Sequence, residues 1–315
     1  MELDKKLKTL NKHPVKSFKT ELGYTYDFIN IYKQPAFDHP LLRNHKIQMK
    51  PNLIHREQVD EPIFNTVSSV VRSKLEGCPS ETVPIRRTTK EELVNAKHLS
   101  NGIKRRHYVS AQPFAEKVYY GSSAKIYVTN PTVDPDKFST AQIWIRMLFG
   151  DNKTRVFGLW TVQTGCYNIL CPGFVQVHPK YSFGEYIGVG TYGGIQRVFD
   201  FSVHRDPERY WPKEIFTHLA ENASVIGYGG VAGADLGEPT PPMGHGYLLY
   251  FNTKYTCYMF NMKVANNRGK YFNFDTSKVQ LDHDAKTSCY DLIVPGRDIF
   301  RGIMMFFGGP GGDCP

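Results

Sequence analysis

The sequence has no run approaching the roughly 18–20 consecutive apolar residues that a membrane-spanning helix requires, so a helical span is excluded. Its first residues, Met1-Glu-Leu-Asp-Lys-Lys-Leu-Lys8, contain no apolar core of the secretory type. Taken by themselves they predict a soluble, cytosolic chain. Gly-x-Ser-x-Gly is missing, which removes the strained serine turn of the α/β hydrolases. Cys-x2-Cys and His-x3-His spacings are missing too, and the 11 histidines are dispersed with no carboxylate at ligand spacing. Neither a metal nor a cofactor is expected.

One glycine-rich stretch asks for a closer look. In S-V-I-G-Y-G-G-V-A-G-A-D-L-G-E-P, beginning at Ser224, 5 glycines fall between Gly227 and Gly237 behind an apolar run. It lacks Gly-Lys-Ser/Thr, and no helical pattern follows its Gly-x-Gly-Gly. A phosphate would therefore find neither the lysine nor the helix N-terminus that normally hold it. The stretch reads instead as an inner β-strand whose glycines allow close approach by a substrate or a neighbouring strand.

What the chain does contain is aromatic and turn-rich. Its 315 residues suggest about two domains, and 19 Tyr, 20 Phe, 27 Gly and 20 Pro favour many short strands over helices. The net charge of +9 sits almost wholly in the first third: residues 1–107 hold 20 Lys/Arg against 12 Asp/Glu, leaving 19 against 18 for the rest. This charge is scattered among acids and prolines, not interleaved with aromatics on one face, so nucleic-acid binding is not expected. A basic module for acidic polymers stands as one alternative.

Leucines at 3, 7 and 10 have helical spacing, stopped by His13-Pro14. A second helix is predicted over Ile63 to Leu75, and Val83-Pro84-Ile85 as a short extended piece. Thr88-Thr89-Lys90-Glu91-Glu92 matches a capping box opening a helix to about Leu99. Asn101 to His107 is a polar, basic joint, and Lys104, Arg105 and Arg106 make it a candidate processing site. Beyond it, short runs rich in β-branched and aromatic residues recur at His107–Ser110, Lys117–Tyr120, Ala124–Thr129, Gln142–Leu148, Thr154–Thr161 and Gly173–His178. Their spacing suits an antiparallel sandwich or barrel. Only Pro212 to Ser224, with Ile215, Phe216, Leu219 and Ala223 on one face, reads as a helix there.

Six cysteines stand at 78, 166, 171, 257, 289 and 314. Cys166 with Cys171 across a tight turn, and Cys289 with Cys314 near the C-terminus, are the expected disulfides, which points away from a reducing compartment. Asn152-Lys-Thr and Asn222-Ala-Ser are candidate glycosylation sequons. A β-sandwich hydrolase would use paired carboxylates, but Glu185, Asp200, Glu214, Glu221, Asp235 and Glu238 offer no pair that the residues alone select.

Several segments together resemble the plant neprosin-like family, an activation-peptide region followed by a neprosin domain. They are Ile31-Tyr-Lys-Gln-Pro-Ala-Phe-Asp-His-Pro-Leu-Leu42, Cys78-Pro79 with Val83-Pro-Ile-Arg-Arg-Thr-Thr89, and Phe138-Ser to Gln142-Ile-Trp144. Gly150-Asp-Asn-Lys-Thr-Arg155, Thr164-Gly-Cys-Tyr-Asn-Ile-Leu-Cys171 and Gly308-Gly-Pro-Gly-Gly-Asp-Cys-Pro315 complete the set. The resemblance implies a mostly β fold: an antiparallel two-sheet β-sandwich over 108–315, preceded by a smaller α+β prosegment over 1–100. It implies secretion, although the chain shows no signal peptide. The activity it implies is a glutamic endopeptidase that cuts after proline under acidic conditions, with no metal or cofactor. Two glutamates on the inner face of the sandwich would activate water and stabilise or protonate the tetrahedral intermediate.

Both acids are missing here. The segment bearing the first is absent between Trp144 and Gly150, where the family pattern is broken near 148–150. At the second position, Tyr228-Gly-Gly-Val231 places Val231 where the family has glutamate. A further gap falls near 207–210, and Phe28 replaces a prosegment cysteine, which leaves Cys78 and Cys257 as spare thiols. Asp235 and Glu238 lie too far along the strand to substitute, four residues spanning about 13 Å. The expectation is therefore a neprosin-domain protein without the family's catalysis, whose partner is a proline-containing peptide or protein. The alternative is an active secreted peptidase whose segments are lost from this reading frame. Nothing in the sequence sets an oligomeric state.

Overall fold

The computed structural model describes residues 2–49, 78–101, 105–146, 170–179, 182, 188–204, 211–216 and 219–314. The helix expected over 63–75 and the strand expected over 154–161 lie outside them. The chain forms two compact units: Met1–Lys97 with Gly158–Gly188 and Asp206–Ala220, and His98–Phe157 with Val189–Arg205 and Glu221–Pro315.

In the first unit, α1 (Glu2–Leu10) lays its leucine stripe on a small core. Leu10 is buried with Leu93, Ala96 and Leu170, and Leu3 and Leu7 pack against them. Strands β1 (Lys16–Lys19), β2 (Thr25–Asn30) and β3 (Thr82–Arg86) form an antiparallel sheet in that order. Pro84 lies in β3, an edge strand, where its missing N–H costs no ladder bond. α2 (Lys90–Asn101) opens with the capping box: the Glu92 N–H donates to Thr89 Oγ1 (3.2 Å), and the Thr89 N–H donates to Glu92 Oε2 (2.9 Å).

The Ile31-Tyr-Lys-Gln-Pro motif is explained by Gln34. Its buried amide donates to the carbonyls of Ile31 (2.8 Å) and Gln176 (3.0 Å) and accepts from the Gln176 N–H (2.7 Å). One glutamine thus satisfies buried backbone groups on two segments remote in sequence. Around this clasp Ile31, Ala36, Val83, Val175 and Val177 form a core cluster. The segment 173–178 is consequently not a ladder strand, as its β-branched pattern suggested. Its Gln176 N–H and carbonyl are paired with the Gln34 side chain, and the His178 carbonyl accepts from Gln176 Nε2 (3.2 Å).

The second unit is an antiparallel two-sheet sandwich. One sheet orders β11 (Val279–His283), β4 (Arg105–Pro113), β8 (Val225–Ala234) and β6 (Phe138–Arg146). The other orders β12 (Asp291–Asp298), β13 (Gly302–Gly308), β9 (Cys257–Ala265), β5 (Gly121–Tyr127) and β7 (Val198–His204), with β10 (Tyr271–Phe272) also on β9. Tyr228 ties the sheets together. Its buried hydroxyl accepts from Ser122 Oγ and donates to the Lys263 carbonyl, both at 2.8 Å.

Two local expectations are corrected. Of the helix read over 212–224, the described residues form only a 3-10 turn at Lys213–Ile215. Ala223 instead exchanges both backbone hydrogen bonds with Tyr119, at 2.7 and 2.8 Å, because the chain must already be extended to enter β8. The same bridge accounts for the run Lys117–Tyr120. Tyr119 makes the bridge, the Tyr120 N–H donates to the Ala265 carbonyl (3.0 Å), and the strand proper begins at Gly121.

Candidate functional site

The glycine-rich stretch is β8, the strand flanked by β4 and β6. Its register is continuous on both sides, from Arg105 opposite Ala234 to Ala111 opposite Tyr228, and from Phe138 opposite Gly233 to Arg146 opposite Val225. Alternation therefore assigns every side chain to a face. Tyr228 points at the second sheet. Gly230 shares its face, since a Cβ there would meet Met243 Sδ at 2.6 Å and Phe307 at 3.0 Å. Gly227, Gly229, Val231 and Gly233 occupy the opposite, outer face. The expectation that the family position lies inside the sandwich is thus corrected: Val231 is turned away from the inter-sheet core.

On that outer face the central strand carries almost no side chains, and its neighbours supply walls. Paired residues directly opposite one another share a face, giving four rows across β4, β8 and β6. Three are Arg106–Gly233–Phe138, Tyr108–Val231–Thr140 and Ser110–Gly229–Gln142, and in the fourth Gly227 lies opposite Trp144 with Gln112 beside it, where a Cβ on Gly227 would meet Gln112 Cγ at 3.6 Å. The result is a trough about two strand spacings wide, roughly 10 Å from wall to wall. The walls lean over its floor: Arg106 lies 5.9 Å from the centre of the Phe138 ring, and a Cβ on Gly227 would meet Trp144 at 3.1 Å. Gly229 marks the closest backbone approach, because a Cβ there would fall 1.9 Å from the Val109 carbonyl oxygen.

The polar wall groups are locked to one another. Gln142 Nε2 donates to Thr140 Oγ1 (2.7 Å), which donates to the Val231 carbonyl (3.1 Å). Gln112 Nε2 donates to Ser110 Oγ (2.8 Å). The Tyr108 hydroxyl donates to Asp282 Oδ2 (3.0 Å), Asp282 being opposite Ser110 on β11. Asp284 Oδ1 accepts from the Tyr108 N–H (2.8 Å), so Asp282 and Asp284 are the acids beside these rows, both on the far side of β4 from β8. Val231 itself is 5% exposed, with Tyr108 and Thr140 as row partners. The rows thus hold hydrogen-bonding side chains paired with one another, and neither Val231 nor its row partners Tyr108 and Thr140 is a carboxylate that could take a proton from water.

The other acids do not converge on this place. Asp200, on β7, pairs with Lys125 at 3.9 Å, and burial raises its carboxyl above the ordinary range. Glu214 lies 3.6 Å from His45, Glu221 is exposed before β8, and Glu238 stands 4.0 Å from Lys137. Asp235 directly follows β8, and its Oδ1 is buried. Glu185 lies outside the described residues, as do Gly150 and Asn152. Among the described residues no three His, Cys, Asp or Glu side chains are grouped as a metal site would require, and no helix is long and apolar enough to cross a membrane.

Cys289 and Cys314 form a disulfide with Cα atoms 6.0 Å apart, whereas Cys78 and Cys257 are free thiols. Cys171 is disulfide-bonded, and Cys166 lies outside the described residues. Arg105 and Arg106, read as part of a processing site, are paired within β4 to Ala234 and Gly233, so cutting beside them would mean stripping a strand end from its sheet. Lys104 lies outside the described residues. Asn222 is half-buried, next to the Ala223–Tyr119 bridge. Sequence reasoning missed the wall residues Tyr108, Ser110, Gln112, Thr140 and Asp282. The signal available was polar residues at every second position of strands flanking a glycine-rich one.

Comparison with known families agrees with the motif resemblance. The family model described as Neprosin matches residues 120–310, and the one described as Neprosin activation peptide matches residues 17–126.

Proposed function

This chain belongs to the neprosin family, and from that premise we propose that it binds an extended, proline-containing peptide or protein segment without cleaving it by the family's two-glutamate chemistry. The observation that carries this reading is the Val231 row. An aliphatic side chain stands between Tyr108 and Thr140 where the resemblance calls for a proton-transferring acid. A valine can neither bind nor release a proton, and loss of general acid–base catalysis alone typically costs about 10²–10⁴ in rate. The segment that would carry the other acid, the first of the family pair, is absent between Trp144 and Gly150. The trough keeps what binding needs: a flat glycine floor and walls of fixed hydrogen-bonding groups. In this reading residues 1–100 act as the activation-peptide-like region and residues 108–315 as the peptidase-like domain of a secreted protein. The Cys289–Cys314 disulfide is compatible with that compartment.

The test is turnover and binding on one protein. A fluorogenic peptide with internal proline, held at acidic pH with this chain, is expected to stay intact while its anisotropy shows saturable binding. Val231→Glu should not restore cleavage, because the other acid is still missing. Proline-directed cleavage by the unmodified chain would overturn the proposal. The rival, an active peptidase whose missing segments belong to a longer transcript, predicts that full-length transcript sequencing restores a glutamate-bearing segment between Trp144 and Gly150.

A further inference from the structure

An exposed aromatic surface caps the other sheet, far from the trough in topology. Tyr192 sits in the turn that precedes β7, and Tyr247, Leu248, Tyr250, Phe251 and Tyr255 lie in the loop that precedes β9. Their exposures run from 37% to 72%, values at which large apolar side chains seldom cluster without a partner. The Phe251 ring edges against Phe306 at 6.3 Å. Because the next residue, Phe307, faces Gly230 and the inter-sheet core, Phe306 and the loop over it belong to the outer surface.

This surface is built, not frayed. Tyr192 is wedged among three rings, with centroids 4.7 Å from Tyr247, 5.1 Å from Tyr255 and 5.5 Å from His245. His245 Nε2 lies 3.0 Å from the Tyr127 hydroxyl, and Tyr127 stacks on Tyr258 at 5.1 Å. The loop is closed by Thr256, whose Oγ1 donates to the Tyr250 carbonyl (2.6 Å) and accepts from its N–H (2.9 Å). The turn and loop are joined by the Gly193 N–H donating to the Lys254 carbonyl (2.8 Å). Rings fixed this way lose little conformational freedom when a ligand covers them.

We propose that this turn and loop form a platform for a neutral polysaccharide. Pyranose rings present C–H faces that stack on aromatic rings, and their hydroxyls hydrogen-bond to groups at the ring edges. Four of the five exposed rings here are tyrosines, which carry such groups. Charge selects against other polymers. Across residues 247–256 the only charged side chain is Lys254, too little to hold an acidic polymer or an anionic membrane. Geometry selects against a polyproline helix, which needs slots between aromatic rings. At 4.7 and 5.1 Å the Tyr192 pairs are in contact and leave no slot for a pyrrolidine ring. The proposal does not rest on the peptide-binding reading of the trough.

The experiment is native affinity electrophoresis of the full chain in gels containing soluble β-glucan, xylan or galactomannan. A polyproline peptide and anionic phosphatidylserine vesicles are tested alongside in separate binding assays. Retardation by at least one neutral glycan is expected. It should fall at least about 10-fold in apparent affinity in Tyr247→Ala/Phe251→Ala, with the unfolding midpoint unchanged. Tyr247→Phe should keep most of the binding, since it keeps the stacking ring. The proposal is overturned if no glycan retards the chain, or if the double variant binds as the unmodified chain does. It is equally overturned if the peptide or the vesicles, and not the glycans, bind in a Tyr247-dependent way. Should the double variant lose stability, Tyr250→Ala read in the same gels decides between the same outcomes.

Discussion

The two faces of β8 are built from one strand and do opposite things. Inward, Ile226, Tyr228, Ala232 and Ala234 are fully buried and fill the space between the sheets. Outward, Gly227, Gly229 and Gly233 leave a floor, and between Gly227 and Gly233 Val231 is the one side chain larger than hydrogen. The inner face therefore carries the packing between the sheets, and the outer face, itself mostly buried, carries the close approach of the strands and the rows of fixed polar groups. A strand that fixes a core on one side cannot drift, so it positions a trough on the other side to within the precision of the core. Substitutions on the two faces should separate these roles.

The largest effect is expected where the faces meet the backbone. At Gly229 any Cβ falls 1.9 Å from the Val109 carbonyl oxygen, an atom held in the β4 ladder that cannot swing aside. Gly229→Ala should cost about 4 kcal/mol, at the upper end for a single substitution, because the strand itself must move. Gly227→Ala, whose nearest contact is the Trp144 ring at 3.1 Å, should cost far less. Chemical denaturation of the two variants checks the ranking, and equal costs would mean that β4 and β8 are not so closely held.

A smaller loss is expected inside the core. Tyr228→Phe removes the hydroxyl that accepts from Ser122 and donates to the Lys263 carbonyl. That leaves a buried donor and a buried acceptor unmet and should cost about 2 kcal/mol. The same residue gives the core a pH dependence. Burial holds its phenol well above its ordinary range, and burial pushes Tyr127, Tyr290 and Cys257 up to about 12. A group that keeps its proton more tightly folded than unfolded adds stability below its unfolded pKa. That stability is lost as the pH rises, here from about 9–10 upward. Thermal unfolding at pH 8 and at pH 10.5 should show a lower midpoint at the higher pH, and a smaller drop in Tyr228→Phe than in the unmodified chain.

Much of this architecture was legible in local sequence because local physics fixes it. The leucine stripe of α1, the Thr89–Glu92 cap and the extended path through Pro84 each depend on neighbours within a few residues. The Cys289–Cys314 pair and the spare thiols Cys78 and Cys257 were also within reach. The face of Val231 was not. Parity along β8 is visible, but with glycine at most odd positions neither parity announces itself as the buried one. The phenol of Tyr228 reveals the inner face only through Ser122 and Lys263, more than 30 residues away in either direction. The apolar spacing over 212–224 imitated a helix for a related reason. Ile215 and Ala223 are buried, but a bridge to Tyr119 dictates the backbone between them and β8.

The smallest expected change in stability bears most directly on the trough. Tyr108 shares a row with Val231, and its hydroxyl donates to Asp282 at 3.0 Å between partly exposed side chains. Tyr108→Phe keeps the ring and removes one hydrogen bond already shared with solvent, so the folded state should lose only about 0.5 kcal/mol. If an extended peptide lies along β8, however, the change frees the Asp282 carboxylate at the trough wall and removes a fixed donor beside it. The affinity for a proline-containing peptide should then fall about 3- to 10-fold, the scale of one hydrogen bond in a binding site. Anisotropy titrations set beside denaturation curves separate the two quantities. A variant weakened in binding yet nearly as stable as the parent would assign access to the outer face. A variant that binds as before would move the peptide off β8 and leave the glycines as a purely structural close approach between strands.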